Sequence, residues 1–172
     1  MIITNNEEAL RVKCEPVLAS EVGELVALLE KELSNSAITG RPGIGLAAPQ
    51  IGIAKNIAII RISDRHSVNL VNCRIEKSFD EFLFEGEGCL SFPDLREDTK
   101  RFNEIHVVDN LVYPHSFIAT GLFAVCCQHE LDHLNGILLP DKHIVEIIKQ
   151  KPNEACQCGS NKKFKKCCYL KV

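Results

Sequence analysis

Gln128-His129-Glu130-Leu131-Asp132-His133 is the stretch of this chain best equipped for chemistry. On a helix, residues i and i+4 share one face, so His129 and His133 can point two imidazoles at one ion. Glu130 then stands where it can take a proton from a water activated by that ion. The same pattern also arises by accident in polar helices, and two histidines do not complete a metal site. Cys89 is a candidate third ligand, because Gly88 before it and Pro93 after it pin an irregular extended segment around the thiol. A small buried thiol is the plain alternative. Gln50 closes the small-residue segment Gly43-Ile44-Gly45-Leu46-Ala47-Ala48-Pro49-Gln50-Ile51-Gly52, and its primary amide can donate to a substrate carbonyl. The alternative there is a packed small-residue turn. As a phosphate loop the segment fails, since it lacks a third glycine, a Lys-Ser/Thr pair and a following helix pattern.

The elements that must position these groups are legible in outline. Thr120 to Cys127 is an apolar run leading into the histidines, and Asn135-Gly136 supplies a stop signal. Leu122, Cys126, His129 and His133 fall on one helical stripe with Val125 at its edge, which predicts a ligand face in an apolar pocket. Residues 21–33 read as an amphipathic helix capped by Ser20, and residues 34–43 as a loop rich in Ser, Asn, Gly and Pro. Short strands are expected at 54–62, 67–74, 80–87 and 104–110. Tyr113-Pro114 should break the last of them, and a short helix is expected at 143–150. Composition changes sharply after Lys151-Pro152-Asn153-Glu154, the strongest domain boundary in the chain.

With 172 residues, 45% hydrophobic and 25% charged, the chain has the balance of one globular domain long enough to bury a core. A net charge of -3 argues against a surface given over to nucleic acid. The N-terminus shows neither a basic nor an apolar leader region, and no apolar run approaches the ~20 residues of a membrane span. Nine cysteines, two adjacent pairs among them, do not form a disulfide framework. A reducing, cytoplasmic compartment is expected, with cysteines serving as ligands or core residues.

Three segments, Gly43 to Gln50, Glu87-Gly88-Cys89-Leu90-Ser91 and Gln128 to His133, together resemble the peptide deformylases in content, order and spacing, over roughly residues 5–148. The resemblance implies an α+β fold with antiparallel sheets around a central metal-binding helix. It implies Cys89, His129 and His133 as ligands, with the fourth position open to water. The family's metal is usually Fe(II), with zinc, nickel or cobalt able to occupy such a site. Glu130 would act as general base, while the Gln50 amide and the Leu90 N–H stabilise the oxyanion, each such donor being worth about 3 kcal/mol of barrier. The activity implied is removal of the formyl group from N-terminal formyl-methionine of new polypeptides, releasing formate.

Substrate contacts follow the same pattern. An extended peptide would add as a strand along the Gly43–Leu46 backbone, with Gly45 leaving room for main-chain contact and Gly88 a further substrate-binding candidate. A methionine side chain would fill a pocket of Ile44, Leu122, Val125 and Cys126, with Phe92 a further candidate wall. Arg96 and Arg101 occupy positions where the family has arginines. Arg101 is expected to pair with Asp132 or Glu87 and so support the metal ligands. The chain departs from the family at Asn72-Cys73, where Asn-Pro is usual, in the loop at 34–42, and in a shortened C-terminal helix. These departures bear on substrate preference rather than chemistry.

Cys156, Cys158, Cys167 and Cys168 form a second constellation, CxC and CC separated by eight residues. Residues 151–172 are too few to fold on an apolar core alone, and they resemble the SEC-C zinc motif, which implies a structural zinc knuckle beside a catalytic domain at 1–150. Lys162, Lys163, Lys165, Lys166 and Lys171 make this tail basic, so association with ribosomal RNA or a ribosomal partner is a reasonable expectation. A monomer is expected. The competing readings are a general metallopeptidase, disfavoured by Cys89 and Gln50, and an inactive deformylase-like scaffold serving as a binding module through its tail.

Overall fold

The computed structural model describes residues 1–109, 116–142, 153–156 and 162–166. It is an α+β arrangement of two three-stranded antiparallel sheets with one helix buried between them. In chain order the elements are α1 (Glu7–Leu10), α2 (Val22–Ile38), β1 (Gly45–Ala47), β2 (Ile57–Ser63), β3 (His66–Val71), β4 (Cys73–Cys89), β5 (Phe92–Asp109), β6 (Ser116–Thr120) and α3 (Gly121–Leu134). One sheet runs β1-β2-β3 and the other β4-β5-β6, so β1 and β4 are both edge strands.

β2 carries the apolar run Ile57-Ala58-Ile59-Ile60, buried on both faces. Ile57 and Ile59 meet Leu29 and Leu33 of α2, whereas Ala58 and Ile60 join Ala124, Cys127 and Leu131 of α3. Alternation along a strand thus divides one segment between two core clusters. Each fully buried Leu or Ile contributes about 1.5–3 kcal/mol by leaving water.

Three elements differ from their sequence-based expectation. Helix α2 continues five residues past 33, through Ser34 to Ile38. The hydroxyls there bond back to helical carbonyls, Ser36 Oγ to Leu33 O at 2.7 Å and Thr39 Oγ1 to Ser36 O at 3.0 Å, which keeps a loop-like composition helical. Ser20 is not the cap: Glu21 stands at that position, and its carboxylate accepts from the Leu18 N–H. The strands expected at 67–74, 80–87 and 104–110 become β3 and a long hairpin, β4 of 17 residues and β5 of 18. The middle stretches of the hairpin strands are highly charged and largely exposed, so no regular apolar alternation marks them in sequence. Cross-strand pairing supplies what composition does not. The two strands join through Leu90-Ser91 alone, Cys89 facing Phe92 across the turn. Residues 113–114 and 143–150, where a break and a short helix were expected, lie outside the described residues.

Asn72 sits at the departure noted above with a φ of 54°, and its side chain bonds both the N–H and the carbonyl of Val17. At the other end of the domain, Arg11 forms two bonds of 2.7 Å to Asp141 and one of 2.8 Å to Glu7, tying the N-terminal segment to the chain after α3. The Arg11 hydrogen bond holds the Asp141 carboxyl below its ordinary value of 3.8. A carboxylate with a depressed folded pKa stabilises above its unfolded value and loses that contribution as pH falls through the folded one. The melting-temperature difference between wild type and Asp141→Asn is therefore expected at neutral pH and should close below about pH 4.

Candidate active site

Helix α3 begins where Thr120 leaves β6, with Gly121 taking a φ of 59°, and ends at Asn135 with Gly136 at 70°. Its apolar face, Ala124, Cys127, Leu131 and Leu134, packs into the core. Gln128 locks it in register: the side chain accepts from the Phe102 N–H and donates to the Phe102 carbonyl, as a neighbouring strand would. The opposite face carries His129 and His133, whose rings lie edge to face with centroids 5.0 Å apart.

Cys89, at the last position of β4, meets this pair. Its Sγ lies 3.2 Å from His133 Nε2, and one ligand atom from each of Cys89, His129 and His133 falls within 4.8 Å of the others. One thiolate and two imidazoles at such separations suit a tetrahedral divalent ion with one position left for water or substrate. Two further observations fit an ion there. His129 Nδ1 donates to Glu87 Oε1 at 2.6 Å, which turns the Nε2 lone pair towards the cluster. His133 is buried and held well below the ordinary imidazole range, by burial first and then by His129, which keeps the ring neutral as a metal ligand must be. Burial lowers His129 too, but its bonds to Cys89 and Glu87 and the charge of Glu130 raise it well above its usual value. The cluster is short of positive charge.

Glu87 is the residue the sequence reading undervalued. It accepts from Arg101 Nε at 2.8 Å, Arg101 Nη2 at 2.6 Å, Thr99 Oγ1 at 2.6 Å and His129 Nδ1. Burial would raise its pKa, yet the bonds from His129 and Arg101 hold it well below the usual carboxylate range. Arg101 does not choose between its two expected partners: Nη1 also reaches Asp132 at 2.6 Å, and Lys142 braces Asp132 from outside at 3.1 Å. The signal for Glu87 was available in its place two residues before Cys89, where strand alternation puts both side chains on the same buried face.

Glu130 is buried, and burial, opposed by His129 and aided by Glu87, pushes its carboxyl up to about 7. Its Oε2 is one of the buried side-chain atoms without a hydrogen-bond partner. Glycine 45 makes room for it, since a Cβ there would come within 2.9 Å of the Glu130 carboxyl carbon. Gly45→Ala is expected to lower kcat by roughly 10²-fold with little change in KM, because a displacement of about 1 Å at the reacting groups has that effect. Steady-state kinetics checks it, with an unchanged circular-dichroism melt showing that the fold is kept.

Gln50 is almost fully buried in the turn after β1. Its Oε1 accepts from the Ala47 N–H at 2.8 Å, which fixes the amide so that Nε2 lies 3.1 Å from Ser91 Oγ and 3.7 Å from Cys89 Sγ. Gln50 and Cys89 border a cavity of about 670 Å³, with Gly43, Ile44 and Gly45 on one wall and Glu87, Gly88 and Leu90 on the other. Leu122, Val125 and Cys126 form an apolar side, and Ile44 and Leu122 are 42% and 50% exposed into it. Burial pushes the Cys126 thiol up to about 12, so it is a neutral wall rather than a nucleophile. Phe92 is not part of this cavity. It packs with Leu10, Leu138 and Leu139 behind Cys89, because the tight turn reverses its strand. A second cavity, about 360 Å³, lies beyond Arg101, and its cations Arg74, Lys100 and Lys142 each have an acidic partner.

In the tail, the Cys156 N–H donates to Lys162 O at 2.7 Å and the Phe164 N–H to Glu154 O at 2.8 Å, with Cys156 and Phe164 buried. Cys158, Cys167 and Cys168 lie outside the described residues.

Comparison with known proteins agrees with this geometry. The family model described as polypeptide deformylase matches residues 1–150, and that of the SEC-C motif matches 153–170. The peptide deformylase of Heliobacterium modesticaldum is 38% identical over 145 residues, covering 82% of this chain and 91% of that protein. That of Hydrogenovibrio crunogenus is 36% identical over 170 residues, 92% of this chain and 97% of that one. Among solved structures, a Synechococcus elongatus peptide deformylase in complex with actinonin superposes with a TM-score of 0.73 at 31% identity, covering 85% of this chain and 81% of that chain. The Met-Ala-Ser-bound class I type b enzyme of Acinetobacter baumannii gives 0.70 at 29% identity, covering 83% and 96%. No described helix is long and apolar enough to cross a membrane. A Cys–His–His group able to hold a metal is set on this fold, the polypeptide deformylase model spans residues 1–150, and the chain belongs to the peptide deformylases, a family of metal-dependent enzymes.

Proposed function

We propose that the protein removes the N-formyl group from formyl-methionyl peptides, releasing formate and a free N-terminus. The observation that carries this reading is that Cys89, His129, His133 and Glu130 converge at the end of a groove between two free sheet edges. Among the described residues β1 pairs with β2 alone and β4 with β5 alone, so an extended peptide can lie between them and bond to their outer edges. The apolar side at Ile44, Leu122, Val125 and Cys126 suits a methionine side chain. The bound Met-Ala-Ser of the Acinetobacter baumannii relative is a peptide of this kind.

A divalent ion held by the three ligands, Fe(II) in our reading with zinc, nickel or cobalt as substitutes, supplies Lewis acidity and acidifies water. Glu130 Oε2 takes the proton from the water whose oxygen bonds to the formyl carbon. The Gln50 amide and the Leu90 N–H donate to the formyl oxygen as it gains charge. When the carbon–nitrogen bond breaks, Glu130 returns the proton to the departing amine. Glu130, Gln50 and Leu90 thus have catalytic roles, and Arg101, Asp132 and Glu87 position the ligands. Hydrolysis of formyl-Met-Ala-Ser against acetyl-Met-Ala-Ser by anaerobically prepared Fe(II) protein tests the proposal. Formate release from the first peptide only is expected, and no release from well-metallated protein would overturn it.

For the tail we infer a structural zinc held by Cys156, Cys158, Cys167 and Cys168, supported by the SEC-C match and by the backbone pairing around Cys156. Lys162, Lys163, Lys165 and Lys166 surround the buried Phe164, which supports contact with ribosomal RNA in a cytoplasmic, monomeric enzyme. Zinc content of the Cys156→Ser protein and low-salt co-sedimentation with ribosomes test the two parts.

A further inference from the structure

We propose that Arg41 and Arg96 make this enzyme prefer peptides with acidic residues just after the methionine, a reading that rests on the deformylase function above. Both arginines are exposed, and both line the active-site cavity. Neither is in an ion pair among the described residues. Arg96 lies across the β4 wall: a Cβ on Gly88 would come within 2.7 Å of its Nη1 and 2.8 Å of its Cζ. Its Nη1 donates to the Leu95 carbonyl at 2.8 Å, which holds the guanidinium against the strand edge next to Cys89. Arg41 stands on the other wall, in the 34–42 segment where the sequence departs from its family. It follows Gly40, whose φ is 80°, and its N–H donates to Ser36 O at 2.8 Å, so the extended end of α2 sets where the loop emerges.

The spacing fits the peptide beyond its first residue. Gly45, which sits beside Glu130, is four positions after Arg41, so Arg41 is at most about 14 Å along the chain from Gly45. An extended peptide advances about 3.3 Å per residue, which brings side chains two and three within reach of the two guanidinium groups. The acids around the cavity do not cancel them. Glu87 is committed to Arg101 and His129, and Glu130 is buried at the reacting centre, which leaves Asp94 as the exposed acid of the lining. Two cations against one anion flank the path of the chain.

The test compares kcat/KM for C-terminally amidated formyl-Met-Asp-Glu, formyl-Met-Ala-Ser and formyl-Met-Lys-Lys on the full-length Fe(II) protein. The acidic peptide is expected to exceed the lysine peptide about tenfold at low salt, chiefly through KM, and the gap should narrow in about 0.5 M salt. Arg41→Glu should reverse the order of the charged peptides, and Arg96→Gln should reduce the ratio. Equal rates on all three peptides would overturn the inference while leaving the deformylase reading intact, as would an acidic preference that survives both substitutions. Formate from none of the three would overturn the function itself, and this inference with it.

Discussion

Glu130→Gln is expected to lower kcat for formate release about 10³-fold, within the range general-base catalysis supplies, while metal content stays at wild-type level. The substitution keeps the shape of the side chain and removes only its capacity to take a proton. It should not cost stability. The carboxyl is buried and its Oε2 has no partner, so the native protein already carries an unsatisfied acceptor at this position. A neutral amide there should leave the melting temperature unchanged or higher. Glu130 thus illustrates a group kept for chemistry at the expense of folding. Kinetics, metal analysis and a thermal melt on one preparation decide the matter. Loss of the metal together with the rate would move Glu130 from base to ligand support, and an undiminished rate would remove it from the mechanism.

Glu87→Gln should produce the largest loss of stability. The carboxylate faces four donors, from Arg101 twice, Thr99 and His129, and an amide would turn an N–H group towards at least one of them. Breaking a buried pair from one side costs about 3–5 kcal/mol, because the remaining charge stays buried. Asp132 still holds Arg101, which favours the lower end, about 3 kcal/mol, or roughly 6–12 °C in melting temperature for a domain of this size. His129 would also exchange its carboxylate acceptor for a neutral amide, a weaker support for its ring, and metal affinity should fall about 10- to 100-fold. The double variant Glu87→Gln/Arg101→Met separates the two effects. Removing the stranded cation should recover much of the melting temperature but none of the metal affinity. Recovery of both would mean that Glu87 acts on stability alone.

The histidine–glutamate helix was legible because its chemistry is local. Spacing of four residues puts His129 and His133 on one face wherever the helix lies, and Asn135-Gly136 ends it whatever surrounds it. Cys89, Gln50 and Glu130 could be nominated from residue type and from the three-part resemblance, since those motifs are short and contiguous. The change of composition near 151 is equally local. By contrast, α2 runs past its expected end because Ser36 and Thr39 turn their hydroxyls onto its carbonyls, a choice that depends on the surroundings of each side chain. The long β4–β5 pair is legible only as fragments, since its middle stretch faces water without regular apolar alternation and is held by cross-strand partners, up to 36 residues apart along the pair.

What the amino-acid order determined by itself was the inventory: a histidine–glutamate helix, a cysteine turn, a glutamine amide, and a cysteine-rich tail. Tertiary structure decided how they are held and what they face. It gave Glu87 its place as the common acceptor of His129 and Arg101, and let Arg101 keep both of its partners. It withdrew Phe92 from the substrate cavity, because a turn of two residues sends β5 back behind Cys89. It also brought Arg41 and Arg96, 55 positions apart in sequence, to opposite walls of one groove. Motifs survive in sequence because helix periodicity and turn chemistry act over a few residues. Charge partners and groove walls do not, because they are set by which strand edges the packed core leaves open.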